Sequence, residues 1–198
     1  LRAVREIRHL IEDRNIDVVV GFGGFVSAPA YIAASREKRP IVVHGANAVP
    51  GFANRLGSTL TKHVGVAFPG TRLRNARFVG MPLAQVLEEL DPASTRSEAL
   101  RHFGFDAQSR VLLVTGGSLG AQHINDTVAA AIASILETGW SVLHITGTRS
   151  ELGESSIPGY RVIRYCDRMD LALSAAEFAV ARAGSATVAE LTALGIPA

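Results

Sequence analysis

The sequence predicts an α/β fold built on parallel sheets. Short apolar runs alternate with stretches of helical periodicity, and within each run the apolar residues are consecutive, the pattern of strands buried on both faces by covering helices. Several of these runs also lead into glycine-rich or polar turns followed by a helix start, as βα units do. Seven strands are predicted: Val18–Val20, Ile41–Val43, Val64–Ala67, Val111–Thr115, Val142–Thr146, Tyr160–Ile163 and Phe178–Ala181.

At the start, Leu1, Val4, Ile7, Leu10 and Ile11 recur at helical spacing, with Arg2, Arg5, Glu6 and Glu12 on the other face. The chain is expected to open inside this helix and so to be an internal portion of a longer one. Pro50 precedes a helical stretch at Gly51–Leu60. Gly80 and Pro82 break a strand and mark a boundary between domains at 1–82 and 83–198. Asp91–Ser97 reads as a turn, with Thr95 and Glu98 as a capping box for the helix after it. A last helix is predicted over Thr187–Leu194, with a further strand beginning in "ALGIPA", so both domains are expected to be incomplete.

The 198 residues are 47% apolar and 19% charged, the composition of a globular chain. There is no signal-like segment and no run of about 18 apolar residues that would span a bilayer. The lone Cys166 can form no internal disulfide. Charge is unevenly placed: residues 1–82 hold twelve Lys/Arg against five Asp/Glu, and residues 83–198 hold eight against thirteen. The basic half reads either as a face for an anionic surface or as an accident of where the chain is divided.

Two glycine turns carry the strongest chemical signal. "DVVVGFGGFVSAPAYIAA" contains Gly23 and Gly24, and "VLLVTGGSLGAQHINDTVAAAI" contains Ser118. Glycines let a backbone approach a ligand closely, and the free N–H groups of the next helix favour phosphate. The other reading is that they only close tight βα turns. Neither matches GxGxxG with its acidic partner, nor GxxxxGK[ST], which argues against a dinucleotide oxidoreductase and an NTPase. In "IVVHGANAVPGFANR", His44 and Asn47 fall at a strand's carboxyl end, where ligands collect; His44 is either a general base or a packed histidine.

A third helix start follows Arg182–Ser185, with Thr187 and Glu190 in its first turns. Glu190 has two readings, a carboxylate complementing the helix dipole or one accepting from the two hydroxyls of a ribose. Asp167 and Asp170 do not form a DxD pair, and the histidines show no metal-ligand spacing, so no metal or cofactor is expected.

These stretches, together with "VAFPGT", "VGMPL" and "YCDRMDLALSAAEFAVARAGSATVAELTALGIPA", resemble in order and spacing the MurG family, its actinobacterial members above all. Members transfer N-acetylglucosamine with inversion from UDP-N-acetylglucosamine to lipid I, giving lipid II in peptidoglycan synthesis. The resemblance implies two Rossmann-like domains of the GT-B type facing a cleft. The first would bind acceptor on the cytoplasmic face of the membrane and the second would hold the UDP-sugar, with no nucleic acid as partner. It places Gly23 and Gly24 near the acceptor diphosphate and Asn47 at the donor sugar. Ser118, and Thr187 with the backbone of Ser185 and Ala186, would touch the donor diphosphate; Glu190 would hold the ribose and the Cys166 backbone the uracil. The family's histidine-bearing glycine loop would precede Leu1 and its Gln-Gln donor loop would follow Ala198, so the chain alone is expected to be inactive. Gly45 stands where the family usually has Glu, Leu119 where it has Gln, and Ala84 where an arginine contacts the donor. Alternatives are another lipid glycosyltransferase, a UDP-sugar epimerase of the same build, or a nucleotide-binding module without catalysis.

Overall fold

A computed structural model describes residues 2–198; Leu1, assigned above to the first helix's apolar face, lies outside them. The chain forms two compact units, Leu1–Pro82 and Leu83–Ala198.

The first unit contains α1 (Arg2–Asp13), β1 (Val19–Gly21), α2 (Ser27–Arg36), β2 (Ile41–Gly45), α3 (Phe52–Leu60), β3 (His63–Val66) and β4 (Ala76–Phe78). Its sheet has the order β1-β2-β3-β4 and every pairing is parallel. Ile41 and Val43 of β2 bury against Tyr31, Ala33 and Ala34 of α2 and against Val4 and Ile11 of α1. The fully buried Tyr31 ring fits because Gly57 of α3 has no side chain: a Cβ there would lie 2.7 Å from the ring and 2.8 Å from Val43. Strand β4 has no apolar run to announce it. Arg77 sits at its centre and Phe78 is largely exposed, and the strand exists through its pairing with β3.

The second unit contains α4 (Gln85–Glu88), α5 (Pro92–Phe103), β5 (Arg110–Thr115), α6 (Gln122–Glu137), β6 (Trp140–Ile145), β7 (Tyr160–Ile163), α7 (Met169–Ala175), β8 (Ala176–Ala181) and α8 (Ser185–Ala193). The parallel order is β7-β6-β5-β8. Alternate residues of the central strands serve two cores. Leu113 and Leu143 pack with α5 and α7, while Val114 and Val142 pack with Val128 and Ile132 of α6. Both faces are thus covered, which is why these strands read as unbroken apolar runs.

The expected turn at Asp91–Ser97 is helix. Asp91 is the N-cap, its carboxylate accepting from Ala93 N at 3.1 Å, and Pro92 occupies the first turn, where a missing N–H costs nothing. Thr95 is no cap, since its hydroxyl donates to the Asp91 carbonyl. Helix α5 is fastened to the sheet by Arg96, whose guanidinium donates to the carbonyls of Ala175 and Ser109 and pairs with Glu177 at 2.6 Å. At the amino end of the sheet, Arg110 lies over the Trp140 ring, 4.2 Å from its centroid.

A polar chain runs through the apolar face under α6. His144 and Asn125 are completely or almost completely buried. The Asn125 amide donates to the Thr146 carbonyl at 2.9 Å, so its oxygen accepts from His144 Nε2 at 3.1 Å, leaving Nδ1 to accept from the Tyr160 hydroxyl at 2.9 Å. That order fixes a neutral tautomer, and burial pushes the imidazole down to about 4. The unfolded chain takes up this proton near pH 6.5 and the folded one does not. The corresponding stability is therefore complete above about pH 6.5 and lost as pH falls to about 4, amounting to about 3 kcal/mol. An NMR titration should find the His144 ring unprotonated at pH 5.5, while urea midpoints fall steadily below pH 6.5; a ring titrating near 6.5 would contradict the assignment.

Candidate functional site

In the second unit, the carboxyl ends of β5 and β6 open toward the start of α8. The glycine turn after β5 is a four-residue turn closed by Gly120 N donating to the Gly117 carbonyl at 2.9 Å, with Ser118 and Leu119 at its tip. Gly117 and Gly120 have φ of 84° and 86°, which other residues rarely adopt. At Gly120 a Cβ would strike the Thr146 carbonyl, and at Gly147 (φ 89°) it would strike the Gly120 backbone, so the turns after β5 and β6 meet main chain to main chain. Neither α6, preceded by Ala121, nor α8, preceded by Gly184, has a side-chain cap. Their first N–H groups are left for a ligand.

Against this edge lies a hollow of about 230 Å³ whose walls include Ser118, Cys166, Ala186, Thr187 and Glu190. The structure thus brings together five of the residues selected in this half of the sequence, and Ser185 is the first residue of α8 beside them. Arg164 and Tyr165 also line the hollow and were not selected. They follow β7, with no glycine or spacing to mark them. Arg182 was seen only as part of a turn; its guanidinium lies 3.4 Å from where a Gly117 Cβ would be, a cation beside the glycine turn.

Glu190 is the sixth residue of α8 and so sits in its second turn. Burial holds its carboxyl above the usual carboxylate range. The dipole's influence falls off within the first turn, so a place in the second turn disfavours the dipole reading. Burial likewise pushes the Cys166 thiol up, keeping it protonated. Asp170 is bound by Arg168 at 2.7 Å, and among the described residues no three His, Cys, Asp or Glu converge as a metal site.

In the first unit, a hollow of about 400 Å³ gathers Gly23, Gly24 and Asn47 with Phe22, Phe25 and Phe52. The starts of α2 and α3 converge on it, again without side-chain caps. Gly23 and Gly24 have φ of 96° and 85°. Asn47 therefore shares a hollow with the two glycines, and the other selected donor-side residues belong to the second unit.

His44 is no base in this arrangement. It is buried, its Nε2 lies 2.9 Å from the Gly80 carbonyl, and its Nδ1 is sealed from solvent without a partner. A base must reach the proton it removes. At Gly45 a Cβ would lie 3.3 Å from Leu73 Cδ1, a close contact at which the leucine would have to yield by a few tenths of an ångström. Ala84 is an exposed residue at the start of α4, and Leu119 is half-exposed.

Because the Gly120–Gly147 contact is between main chains, no rotamer change can relieve a larger residue. Gly147→Ala should lower the stability of the second unit by more than about 2 kcal/mol, combining a left-handed backbone with a steric clash. A thermal melt unchanged from wild type would show that the two turns are not in contact.

Two α/β units with parallel sheets, each opening uncapped helix starts and a glycine turn at the carboxyl edge, have the architecture of GT-B glycosyltransferases. The chain belongs to glycosyltransferase family 28: residues 1–66 match the family's N-terminal domain and residues 111–198 its C-terminal domain. It is 57% identical over 197 residues to the UDP-N-acetylglucosamine--N-acetylmuramyl-(pentapeptide) pyrophosphoryl-undecaprenol N-acetylglucosamine transferase of Leifsonia xyli subsp. xyli, aligning 100% of this chain with 55% of that protein. The protein of the same name from Clavibacter michiganensis subsp. michiganensis is 50% identical over 198 residues, 100% of this chain and 54% of the relative. The chain spans about half the length of the curated relatives it matches. Among solved structures it is similar to Acinetobacter baumannii MurG, with TM-score 0.69 and 26% identity over 98% of this chain and 55% of that one. UDP-GlcNAc 2-epimerase from Methanocaldococcus jannaschii shares the fold, with TM-score 0.65 and 13% identity over 98% and 64% of the two chains.

Proposed function

We propose that the protein containing this chain transfers N-acetylglucosamine from UDP-N-acetylglucosamine to lipid I, forming lipid II, with residues 1–82 on the acceptor side and residues 83–198 on the UDP-sugar side. The observation that carries this reading is the convergence of Ser118, Cys166, Ala186, Thr187 and Glu190 on one hollow beside two open helix starts. The names of the similar proteins supply the substrates.

In this reading the acceptor hydroxyl attacks the anomeric carbon from the face opposite the departing diphosphate, and configuration inverts. Negative charge builds on the leaving UDP. The α6 and α8 N-termini, the Ser118 and Thr187 hydroxyls and Arg182 are the groups on hand to stabilise it without a metal. Glu190 accepts from the ribose hydroxyls, and the Tyr165–Cys166 backbone takes the uracil. Gly23 and Gly24 take the acceptor diphosphate, and Asn47 is assigned to the donor sugar. With His44 sealed, the base that removes the hydroxyl proton is proposed to come from a segment outside residues 1–198.

The donor assignment is tested at Glu190. In the full-length protein, Glu190→Ala should weaken UDP binding by about 1.5–3 kcal/mol, the value of hydrogen bonds to a charged group, without altering the melting transition. Calorimetry showing wild-type affinity in a folded variant would return Glu190 to a structural role.

The acceptor side is proposed to work as a peripheral protein on the cytoplasmic face of the membrane. Residues 1–82 carry twelve Lys/Arg against five Asp/Glu, and Phe25, Val26 and Phe52 are among their most exposed apolar side chains. Among the described residues no helix is long and apolar enough to cross a membrane. Binding to vesicles containing anionic lipid should exceed binding to neutral ones and weaken with added salt, since exposed charges are screened over about 8 Å at physiological ionic strength. Co-sedimentation indifferent to both salt and lipid charge would remove the electrostatic attraction from this picture.

A further inference from the structure

Ser118 stands at the tip of an exposed turn between two glycines of positive φ. Outside its own turn it is gripped at one atom. The Ser118 carbonyl accepts from Thr148 twice, from the backbone N at 3.0 Å and from Oγ1 at 3.2 Å. The two partners are not equally free to move. Thr148 lies in a turn closed by Ser150 N donating to the Gly147 carbonyl at 3.1 Å. Buried Asn125 clamps that turn on both sides, donating to the Thr146 carbonyl at 2.9 Å and to Ser150 Oγ at 3.3 Å. Behind Asn125 stands His144, and behind His144 the Tyr160 hydroxyl. The residues on either side of Thr148 are thus held by hydrogen bonds to a buried side chain, whereas Ser118, among the described residues, has no hydrogen bonds outside its own turn except those to Thr148.

We infer that Thr148 is a positioning residue for the donor diphosphate: held from inside by the Asn125–His144–Tyr160 chain, it fixes the Ser118 carbonyl and so turns the Ser118 N–H and hydroxyl toward the phosphates. The inference rests on the reading of the second unit as the UDP-sugar side. Thr148 takes no part in contacting the ligand. Its own carbonyl accepts from Arg164 at 3.0 Å, a backbone contact that substitution of its side chain leaves in place.

The side-chain contact can be removed alone. Thr148→Val keeps the shape and the backbone N–H but loses the hydroxyl donor, and because the residue is exposed the variant should fold. Isothermal titration of the full-length protein with UDP and with uridine separates the phosphates from the base. Thr148→Val should raise the UDP dissociation constant about three- to tenfold, the scale of one hydrogen bond. It should leave uridine affinity unchanged, and Thr148→Ser should restore the wild-type value for UDP. Unchanged UDP affinity in Thr148→Val overturns the inference, as does equal weakening of UDP and uridine, which marks general loosening of the unit. A folded wild-type protein that binds neither ligand overturns the donor-side reading itself, and this inference with it.

Discussion

The second unit depends on one close approach, that of the main chain at Gly120 to the main chain at Gly147. A parallel sheet carries its ligand groups on the turns after neighbouring strands, and side chains ordinarily keep such turns apart. Here β5 and β6 end in glycines of positive φ, and the two turns touch. The start of α6, the Ser118 turn and the wall formed by α8 are all placed relative to that contact. The cost is conformational freedom lost by two glycines; the return is an edge whose N–H groups stand in a fixed order before any ligand arrives.

Both units use the same device to hold such an edge. A buried asparagine on a helix donates its amide to a carbonyl at the end of a strand beside it, the strand before the helix in the first unit and the strand after it in the second: Asn54 of α3 to His44 O of β2 at 3.3 Å, Asn125 of α6 to Thr146 O after β6 at 2.9 Å. An amide both donates and accepts, so it can close onto a second group. In the first unit that group is the Tyr31 hydroxyl, at a long 3.5 Å; in the second it is His144, at 3.1 Å. The second network is the tighter, and every ring nitrogen in it is paired. His44, by contrast, keeps an unpaired buried nitrogen, a defect of a size comparable to a lost hydrogen bond.

Much of this was legible in the sequence because burial on both faces writes itself as consecutive apolar residues. Tyr160–Ile163 is a strand over the predicted residues, and the other six predicted strands differ from the observed ones by a residue or two at their ends. Strand β4 was legible only as the strand that Gly80 and Pro82 break, without bounds of its own, since pairing with β3 and not composition makes it a strand. The capping box misled because Thr95 and Glu98 have the right spacing, yet Asp91 and Pro92 act earlier on the same helix. For the site, glycine turns and a carboxylate pointed to one edge, and Ser118, Thr187 and Glu190 do meet there. Thr148, Arg164 and Tyr165 could not be found in that way. Their place is set by how β6 and β7 lie beside β5, and no local pattern records a neighbouring strand.

The Arg110–Trp140 stack has a practical consequence of its own. Trp140 is the chain's single tryptophan, and it belongs to the second unit, at the amino end of the sheet and away from its carboxyl edge. Its emission therefore reports on one unit alone, with a cation fixed over the ring in the native state and removed when the sheet opens. Intrinsic fluorescence can follow the unfolding of the second unit without labelling, while the first unit, which has no indole, stays silent at the same wavelength.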